Sequence, residues 1–272
     1  AVHAVDGGAQ LAFADGRRVD GELVVAADGI RSTLRQQLLP EAKPQYVGYI
    51  AWRGLVDEAA LGEACRAAIF DKFAFCLPPH EQMLGYPVAG PGDSVEVGHR
   101  RFNFVWYRPA DDAALADLLT DVEGRVHDGG IPPQRIRPEV VAQMRAAAER
   151  VLAPAFAEVI RCTAQPFFQP IFDLQSSRLA FGPVALLGDA AFVARPHCGM
   201  GVTKAAGDAW SLVQSLAGSV DVPSALRRYE AERLAFGNAV VGHERHLGAY
   251  MQAQLHTEAE REAAERYRTP QA

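Results

Sequence analysis

The sequence predicts an α/β (α+β) protein that combines a partial Rossmann-like domain with an inserted antiparallel-sheet domain and C-terminal helices. Residues 23–27 and 184–187 are apolar throughout, as in strands covered on both faces of an α/β sheet, and each run ends in a pair of one Asp and one Gly. Residues 44–170 contain short aromatic and β-branched runs separated by Gly and Pro turns, which predict an antiparallel sheet.

Local patterns predict the individual elements in chain order. Residues 1–27 alternate short apolar runs with turn dipeptides, which predicts a β-meander that ends in the strand at 23–27. Further strands are predicted at 46–52, 73–77, 83–88, 95–97 and 102–107, and helices that cover one side of their sheet at 113–119 and 140–151. Residues 201–216 predict an amphipathic helix whose core face consists of small and aliphatic side chains: Val202, Ala205, Ala206, Ala209, Leu212, Val213 and Leu216.

These patterns divide the chain into three predicted segments. Residues 1–43 and 171–220 form the Rossmann-like domain, and residues 44–170 form the inserted domain. Residues 221–272 form a C-terminal helical segment. The sequence has neither an internal repeat nor a low-complexity stretch that suggests a different organisation.

Composition and charge exclude several classes of protein. The 272 residues carry a formal net charge of −6, which argues against binding to nucleic acid, and no run reaches the roughly 18 apolar residues of a membrane span. The four cysteines are far apart and form no C-x-x-C pair, so neither a disulfide framework nor a zinc site is predicted. His243 and His246 lack a third ligand nearby, so no metal is assigned. We therefore expect a reduced, cytoplasmic protein.

The two apolar strands point to one extended ligand site. Asp28 and Asp189 follow these strands, and an acidic side chain at the carboxyl end of a strand can accept hydrogen bonds from sugar-type hydroxyls. A single Asp-Gly pair is most often a plain turn, but two such pairs favour a long ligand. Gly199 and Gly201 open the helix after the second pair, where free backbone N–H groups favour an anion or an electron-rich ring edge and glycines allow close approach. Lys204 occupies the place of the third glycine of G-x-G-x-x-G, so this is not a dinucleotide fingerprint.

Both strand ends resemble motifs of a known family. Residues 23–35, LVVAADGIRSTLR, resemble the DG motif of the flavoprotein aromatic hydroxylases, the single-component FAD monooxygenases of the para-hydroxybenzoate hydroxylase type. Residues 184–209, which contain LLGDAA and RPHCGMG, resemble the GD motif of that family. Residues 46–54 and 167–169 are also similar to it, and residues 104–108, FVWYR, bring the chain closest to the 2,6-dihydroxypyridine 3-monooxygenase branch.

This resemblance implies a set of cofactor contacts. Asp189, with Gly188, would bind the ribityl chain of FAD, and the DG motif would serve FAD and NAD(P)H through Asp28, Gly29, Ser32 and Arg35. Pro196 would lie beside the isoalloxazine ring, near Gly199, and the N–H groups of Gly201 and Val202 would face the flavin pyrimidine edge. The implied reaction is reduction of the flavin by NADH or NADPH, formation of a flavin hydroperoxide with oxygen, and hydroxylation of a phenol-like ring.

Three residues are candidates for contact with the substrate. His197 follows the flavin-facing proline and is the best acid/base candidate, because a substrate hydroxyl must lose its proton to activate the ring. A histidine bonded to local backbone is the alternative. Gln169 could bond a heteroaromatic substrate in an apolar pocket, or it could be a plain strand residue. Tyr86, like Trp106, is either a core aromatic or a wall of the substrate site.

The chain departs from the family in one respect. Members begin with a βαβ unit that carries G-x-G-x-x-G and needs about 30 residues, whereas only 22 residues precede the strand at 23–27. The chain also begins with Ala1 rather than Met. We therefore expect the C-terminal part of a longer hydroxylase, or the product of a truncated gene. As residues 1–272 alone, it would bind FAD weakly and tend to aggregate.

Three functional hypotheses remain open at this point. The first is an aromatic hydroxylase that acts with oxygen on a small hydroxylated N-heteroaromatic or phenol. The second is a flavoprotein of the same fold that acts on another class, such as an epoxidase or a hydroxylase of polycycles. The third is a non-catalytic remnant whose sheet is a binding module. A homodimer is an open expectation for each of them.

Overall fold

The computed structural model describes residues 1–268. The strands are β1 (Val2–Val5), β2 (Gly8–Ala12), β3 (Arg18–Gly21), β4 (Val24–Ala26), β5 (Gln45–Asp57), β6 (Ala74–Cys76), β7 (Gln82–Val88), β8 (Arg101–Pro109), β9 (Phe167–Asp173), β10 (Ala180–Phe181) and β11 (Val184–Leu186). The helices are α1 (Thr33–Leu38), α2 (Glu63–Cys65), α3 (Asp112–Leu118), α4 (Pro138–Val151), α5 (Pro154–Cys162), α6 (Gly201–Ala217), α7 (Val222–Gly248) and α8 (Glu258–Arg266).

The described chain forms two compact units. Unit 1 consists of residues 1–46 and 172–248, and unit 2 consists of residues 47–171 and those from 249 onward. The predicted limits, 43/44 and 170/171, lie three residues and one residue away from the observed ones. The predicted C-terminal segment does not form a unit of its own, because α7 belongs to unit 1 and α8 to unit 2.

Unit 1 contains two three-stranded sheets. Strands β1, β2 and β3 form the predicted meander, in antiparallel order. Its third strand, Arg18–Gly21, is exposed throughout and too polar to be recognised from apolar runs. The run at 23–27 is not part of the meander, because β4 pairs in parallel with β11 in the sheet β10-β11-β4. Chain order alone could not assign β4 to this second sheet.

The two strands of the parallel pair differ in burial. All three residues of β11 are buried, as the apolar run predicted. In β4, however, Val25 is 42% exposed, so the expectation of a strand covered on both faces is wrong for this strand in the described structure. Successive side chains of a strand project to opposite faces, so the face of β4 that carries Val25 is open to solvent while Ala26 on the other face is buried.

Helix α6 buries a different face from the predicted one, although the two faces share Leu212. Val202 is 85% exposed and Val213 is 55% exposed. The buried residues are instead mostly polar: Lys204, Asp208, Ser211, Leu212 and Ser215. Both sets recur with helical spacing, so periodicity alone could not choose between them. The polar face is buried because its charged groups are paired inside unit 1, which offsets their desolvation.

Unit 2 is built on a five-stranded sheet in the order β6-β7-β8-β5-β9. One side forms the largest apolar cluster, in which Trp52, Trp106 and Phe168 of the sheet share a core with Met144 of α4 and Ile160 of α5. Trp106 is therefore a core aromatic, one of the two possibilities considered. This covered side agrees with the expectation that helices pack on one side of the sheet.

Two local predictions in unit 2 were wrong. Val95 and Val97 are 76% and 80% exposed and form no strand. This predicted strand is only three residues long and is flanked by polar residues and glycine, so it has little apolar surface to bury against the sheet. Helix α5 was missed, although Pro154 at its start and the apolar residues Phe156, Val159 and Ile160 follow helical spacing.

Candidate functional site

The two predicted motifs lie side by side at one end of a parallel strand pair. Ala26 is the register partner of Leu186, and the N–H of Leu187 donates to the Ala26 carbonyl at 3.0 Å. The chain then turns at both motifs through glycines with positive φ, +78° at Gly29 and +65° at Gly188, a conformation that L side chains rarely adopt. The carboxyl ends of adjacent parallel strands are where ligands bind in open α/β sheets.

The DG motif forms a closed network around the start of α1. The Asp28 carboxylate accepts hydrogen bonds from the Ser32 hydroxyl at 2.5 Å and from the Thr33 N–H at 2.8 Å. Ser32 is the N-cap of α1, and its hydroxyl accepts from the Arg35 N–H at 2.9 Å. Asp28 and Ser32 therefore hold the backbone that follows the strand.

Arg35 joins the DG motif to the GD motif. Its guanidinium is fully buried and donates to three backbone carbonyls, those of Ile30, Ala42 at 3.2 Å and Ala190 at 3.1 Å. Burial lowers the pKa of this guanidinium, and the charge of Asp28 opposes that shift. Ser32 and Arg35 were predicted to contact the cofactor. The structure gives their polar groups partners inside the protein, and these contacts hold the two motifs together.

A buried ionic cluster fixes the GD motif. Asp208 accepts from the Gly188 N–H at 3.1 Å, from Lys204 Nζ at 3.2 Å and from Arg233 Nε at 2.8 Å. Lys204 also donates to the Gly188 carbonyl at 3.0 Å. Tyr229 donates to the Leu186 carbonyl at 2.8 Å, and burial raises the pKa of its hydroxyl. In the sequence, Lys204 was noted only as the residue in place of a third glycine, and Asp208 only as part of the stretch 184–209 that resembles the GD motif. No sequence signal identified Arg233.

Asp189 contrasts with this buried cluster. Its side chain is exposed, and no hydrogen bond or ion pair to its carboxylate is found within residues 1–268. An exposed carboxylate beside a strand end is free to accept hydrogen bonds from the hydroxyls of a ligand. Asp189 therefore fits its predicted role, whereas Asp28 is used internally.

The start of α6 provides backbone donors. Its N-cap is Met200, and no side chain caps this helix end. The first N–H groups of a helix lack intrahelical acceptors and carry the positive end of its dipole. Gly199 has φ +66°, and a Cβ added at Gly199 or Gly201 would meet no heavy atom within 4 Å. Pro196 and Val202 are also exposed. Free N–H donors, open space and the exposed Asp189 together fit the hydrogen-bonding groups of FAD.

Glu244 of α7 holds the segment before this helix. Its two carboxylate oxygens accept from the N–H groups of His197 and Cys198, each at 2.9 Å. The side chain is fully buried, and burial raises its pKa. Burial and Glu244 also raise the pKa of the Cys198 thiol to about 11. Glu244 is thus a positioning residue for the loop, which sequence reasoning missed.

His197 lies on this loop as a neutral imidazole. Burial, and secondly the charge of Arg195, lower its pKa to about 3. At neutral pH such a group holds no extra proton to give, and it is a weak base. The geometry therefore supports a hydrogen-bonding role for His197 rather than that of a proton store.

The pKa of His197 predicts a pH dependence of stability. An imidazole whose folded pKa lies below the unfolded value of about 6.5 stays neutral in the native state while the unfolded chain takes up a proton. Stability is therefore lost as the pH falls from about 6.5 toward about 3. When the pH is lowered from about 7 to about 5, the free energy of unfolding should decrease in the parent. In His197→Asn this decrease should be smaller by about 1–2 kcal/mol.

Urea unfolding at the two pH values measures this difference. The matched control is His3→Asn, since His3 is exposed on β1 and its replacement should leave the pH dependence unchanged. Equal losses in the parent and in His197→Asn would contradict the assignment of a neutral His197.

The two predicted substrate residues belong to unit 2. Gln169 is exposed on β9 and accepts from Arg53 Nη1 at 2.8 Å. Tyr86 is half-buried on β7, and its ring stacks on Phe73 with centroids 5.2 Å apart. All other predicted site residues, from Asp28 to Val202, belong to unit 1.

Comparison with known proteins identifies the class. Residues 46–173 match the family model described as FAD binding domain-like, a range that nearly coincides with the first segment of unit 2, residues 47–171. The fold is that of an FAD-dependent hydroxylase, as predicted. Among solved structures, 2,6-dihydroxypyridine-3-hydroxylase from Arthrobacter nicotinovorans superposes with a TM-score of 0.85 at 28% identity, over 93% of this chain and 63% of that one.

Two further relatives agree. The 2,6-dihydroxypyridine 3-monooxygenase of Paenarthrobacter nicotinovorans is 29% identical over 89% of this chain and 60% of its own length. The structure of Klebsiella pneumoniae HpxO complexed with FAD and uric acid matches with a TM-score of 0.72 at 25% identity, over 98% of this chain and 61% of that one. The predicted resemblance to the FAD-dependent aromatic hydroxylases is confirmed. The chain spans less than two thirds of the length of these relatives.

None of the helices within residues 1–268 has the length and apolar character needed to cross a membrane. In the same residues, no three His, Cys, Asp or Glu side chains cluster in a way that could hold a metal ion.

Proposed function

We propose that this chain is part of a cytoplasmic FAD- and NAD(P)H-dependent monooxygenase that hydroxylates a small hydroxylated N-heteroaromatic or phenolic ring with oxygen. The observation that carries the proposal is the juxtaposition of the DG and GD motifs at the ends of β4 and β11, next to the uncapped start of α6. Relatives that hydroxylate 2,6-dihydroxypyridine or that bind FAD together with uric acid support this substrate class.

Each motif residue has a part in this proposal. Asp189, next to Gly188, accepts hydrogen bonds from the ribityl hydroxyls, and Gly29 lets the DG segment turn away from its strand. The N–H groups of Gly201 and Val202 bind the pyrimidine edge of the flavin, where electron density increases on reduction. Gly199 and Pro196 leave room for the planar ring. FAD, when bound and reduced by NADH or NADPH, supplies the oxygen-activating chemistry.

His197 is proposed to bind a substrate hydroxyl as a neutral imidazole. In this state it can accept the hydroxyl hydrogen bond and orient the ring, while Glu244 keeps its backbone in place. A His197→Asn variant with the kcat/KM of the parent would rule out this role.

The proposed activity is tested with the protein expressed from its complete reading frame. We expect 2,6-dihydroxypyridine, urate or a hydroxybenzoate to stimulate NADH or NADPH oxidation, with matching oxygen uptake and a product heavier by one oxygen atom in mass spectrometry. Formation of an epoxide, or turnover of polycycles alone, would instead support the alternative substrate class. Failure to bind FAD after reconstitution would overturn the proposal and leave the non-catalytic alternative. Weak FAD binding by residues 1–272 alone stays a prediction. It is tested by measuring the FAD affinity of these residues and that of the protein from the complete reading frame side by side.

Replacing Val202 with proline tests the helix N-terminus directly. Proline is tolerated in the first turn of a helix but has no N–H, so Val202→Pro removes one proposed flavin donor without breaking an intrahelical bond. Loss of one such hydrogen bond should weaken FAD binding by about three- to tenfold, measured by flavin fluorescence titration. The matched control, Val202→Ala, removes a side chain that is 85% exposed and should bind FAD like the parent. Equal affinities for the proline and alanine variants would contradict the assigned donor.

A further inference from the structure

The second side of the unit 2 sheet is covered at one end only. At the covered end, Met251 is fully buried against Tyr49 and Tyr107. Toward the other end, Tyr86 of β7 is opposite Asn103 of β8, which is in turn opposite Leu55 of β5. Residues directly opposite each other in antiparallel strands project to the same face. Leu55 is 44% exposed, so this end of the face is open to solvent.

Arg53 places a positive charge on this open end. It precedes Leu55 by two residues in β5, so its side chain is on the same face. Its Nη1 donates to Gln169 Oε1 at 2.8 Å, and no carboxylate within residues 1–268 forms an ion pair with it. Because the Gln169 oxygen is the acceptor in this bond, its amide NH₂ remains available as a donor. The pair therefore presents hydrogen-bond donors to a ligand.

Asn103 adds a polar group beside this pair. Its side-chain Nδ2 is buried and has no hydrogen-bond acceptor within the described part of the chain. A buried donor without an acceptor costs about 1–3 kcal/mol, and such groups in native proteins commonly have a role in binding. Tyr86 is directly opposite Asn103 and contributes an aromatic surface with a hydroxyl. Donors thus cluster next to two apolar surfaces, Tyr86 and Leu55.

We propose that Arg53 and Gln169 bind an anionic oxygen substituent of the aromatic substrate, a carboxylate or a phenolate. The planar guanidinium offers paired N–H donors that match such a group, and Leu55 and Tyr86 contact the ring. Arg53 thereby makes the site select anionic over neutral aromatic rings. This inference rests on the proposed function, since it assigns the substrate class of the same enzyme.

Matched ligands test this inference with the protein from its complete reading frame. Salicylate and salicylamide share a ring and a hydroxyl but differ in charge, and calorimetry measures their affinities. The parent should bind salicylate at least about tenfold more tightly than salicylamide, and Arg53→Met should remove that preference, because a charge-assisted hydrogen bond contributes about 1.5–3 kcal/mol. Arg53→Lys should retain part of the preference. Arg161→Met is the matched control, since Arg161 is exposed on α5, which packs on the opposite side of the sheet, and its loss should leave the preference unchanged.

The outcomes separate this inference from the proposed function. Calorimetry with the two probes tests the inference and does not require bound flavin. FAD retention and NAD(P)H oxidation, measured in the same preparations, test the proposed function. A parent that binds FAD but binds both probes equally, or not at all, overturns the inference alone, as does an Arg53→Met variant that keeps the preference. A preparation without FAD in which Arg53 still controls salicylate binding overturns the proposed function and supports the inference. Unchanged midpoints of thermal unfolding in the variants would show that a changed preference for the probes does not result from unfolding.

Discussion

Replacing Asp208 with alanine is expected to lower the free energy of unfolding by about 3–5 kcal/mol. Asp208 is buried, and its partners Lys204 and Arg233 are only 1% and 8% exposed. Without the carboxylate, buried Lys204 loses its ion pair, and Arg233 keeps only a 3.8 Å contact with the exposed Glu232. The Gly188 N–H also loses its acceptor. We also expect weaker FAD binding, because Gly188 positions the GD motif. Urea unfolding and flavin titration measure the two effects.

An exposed ion pair provides the control for Asp208. Glu149 pairs with Arg161 at 2.8 Å, with side chains 51% and 58% exposed, so Glu149→Ala should cost less than about 1 kcal/mol. Asp208→Asn keeps the shape of the side chain and one acceptor oxygen, so its loss of unfolding free energy should lie between those of the other two variants. It should therefore fold even if Asp208→Ala does not. If Asp208→Ala were no more destabilising than Glu149→Ala, the cluster would not be what stabilises the motif.

Replacing Arg35 with methionine is expected to cost about 3 kcal/mol of unfolding free energy. Each of its three charged hydrogen bonds contributes about 1.5–3 kcal/mol, but removal of a buried charge offsets part of that loss and methionine retains most of the volume. Three backbone carbonyls lose their donor, including Ala190 of the GD motif. Because this side chain links the two motifs, FAD affinity should fall as well. Chemical denaturation and flavin titration again provide the measurements.

Two further variants distinguish geometry from charge at Arg35. A lysine has one ammonium group, which cannot reach carbonyls in three directions, so Arg35→Lys should show most of the loss seen with methionine. Arg18 is exposed on β3 and donates to Gln10 at 3.1 Å, so Arg18→Met should change stability by less than about 0.5 kcal/mol. Parent-like stability of Arg35→Lys would show that charge alone matters there.

The motif glycines illustrate what local sequence can predict. A strand followed by Asp28-Gly29 or Gly188-Asp189 already implies a sharp turn, and the structure has positive φ at both Gly29 and Gly188. This success has a local cause, because conformational preference acts within a few residues. The parallel pairing of the two strands, which are more than 150 residues apart, was not predicted, because the periodicity within a strand does not specify its partner.

Helix α6 illustrates the opposite case. Its apolar residues and its polar residues are both spaced for one helical face, and the chain buries the polar set. That outcome depends on Arg233 of α7, which supplies a counter-charge to Asp208 across the structure. Similarly, Arg35 and Ser32 have the residue types of ligand contacts, but their partners turned out to be backbone carbonyls and a neighbouring carboxylate.

The sequence by itself determined the class of fold, the two strand ends that carry the motifs and the helix start that follows them, because these depend on short-range periodicity, glycine conformations and motif spacing. Only the tertiary structure decided which of the motif side chains are available to a ligand. Asp189 is exposed while Asp28, Ser32 and Arg35 have internal partners, and Glu244 and Arg233 support the site from α7. The physical reason is that the burial and pairing of a charge depend on residues distant in sequence, whose positions no local pattern specifies.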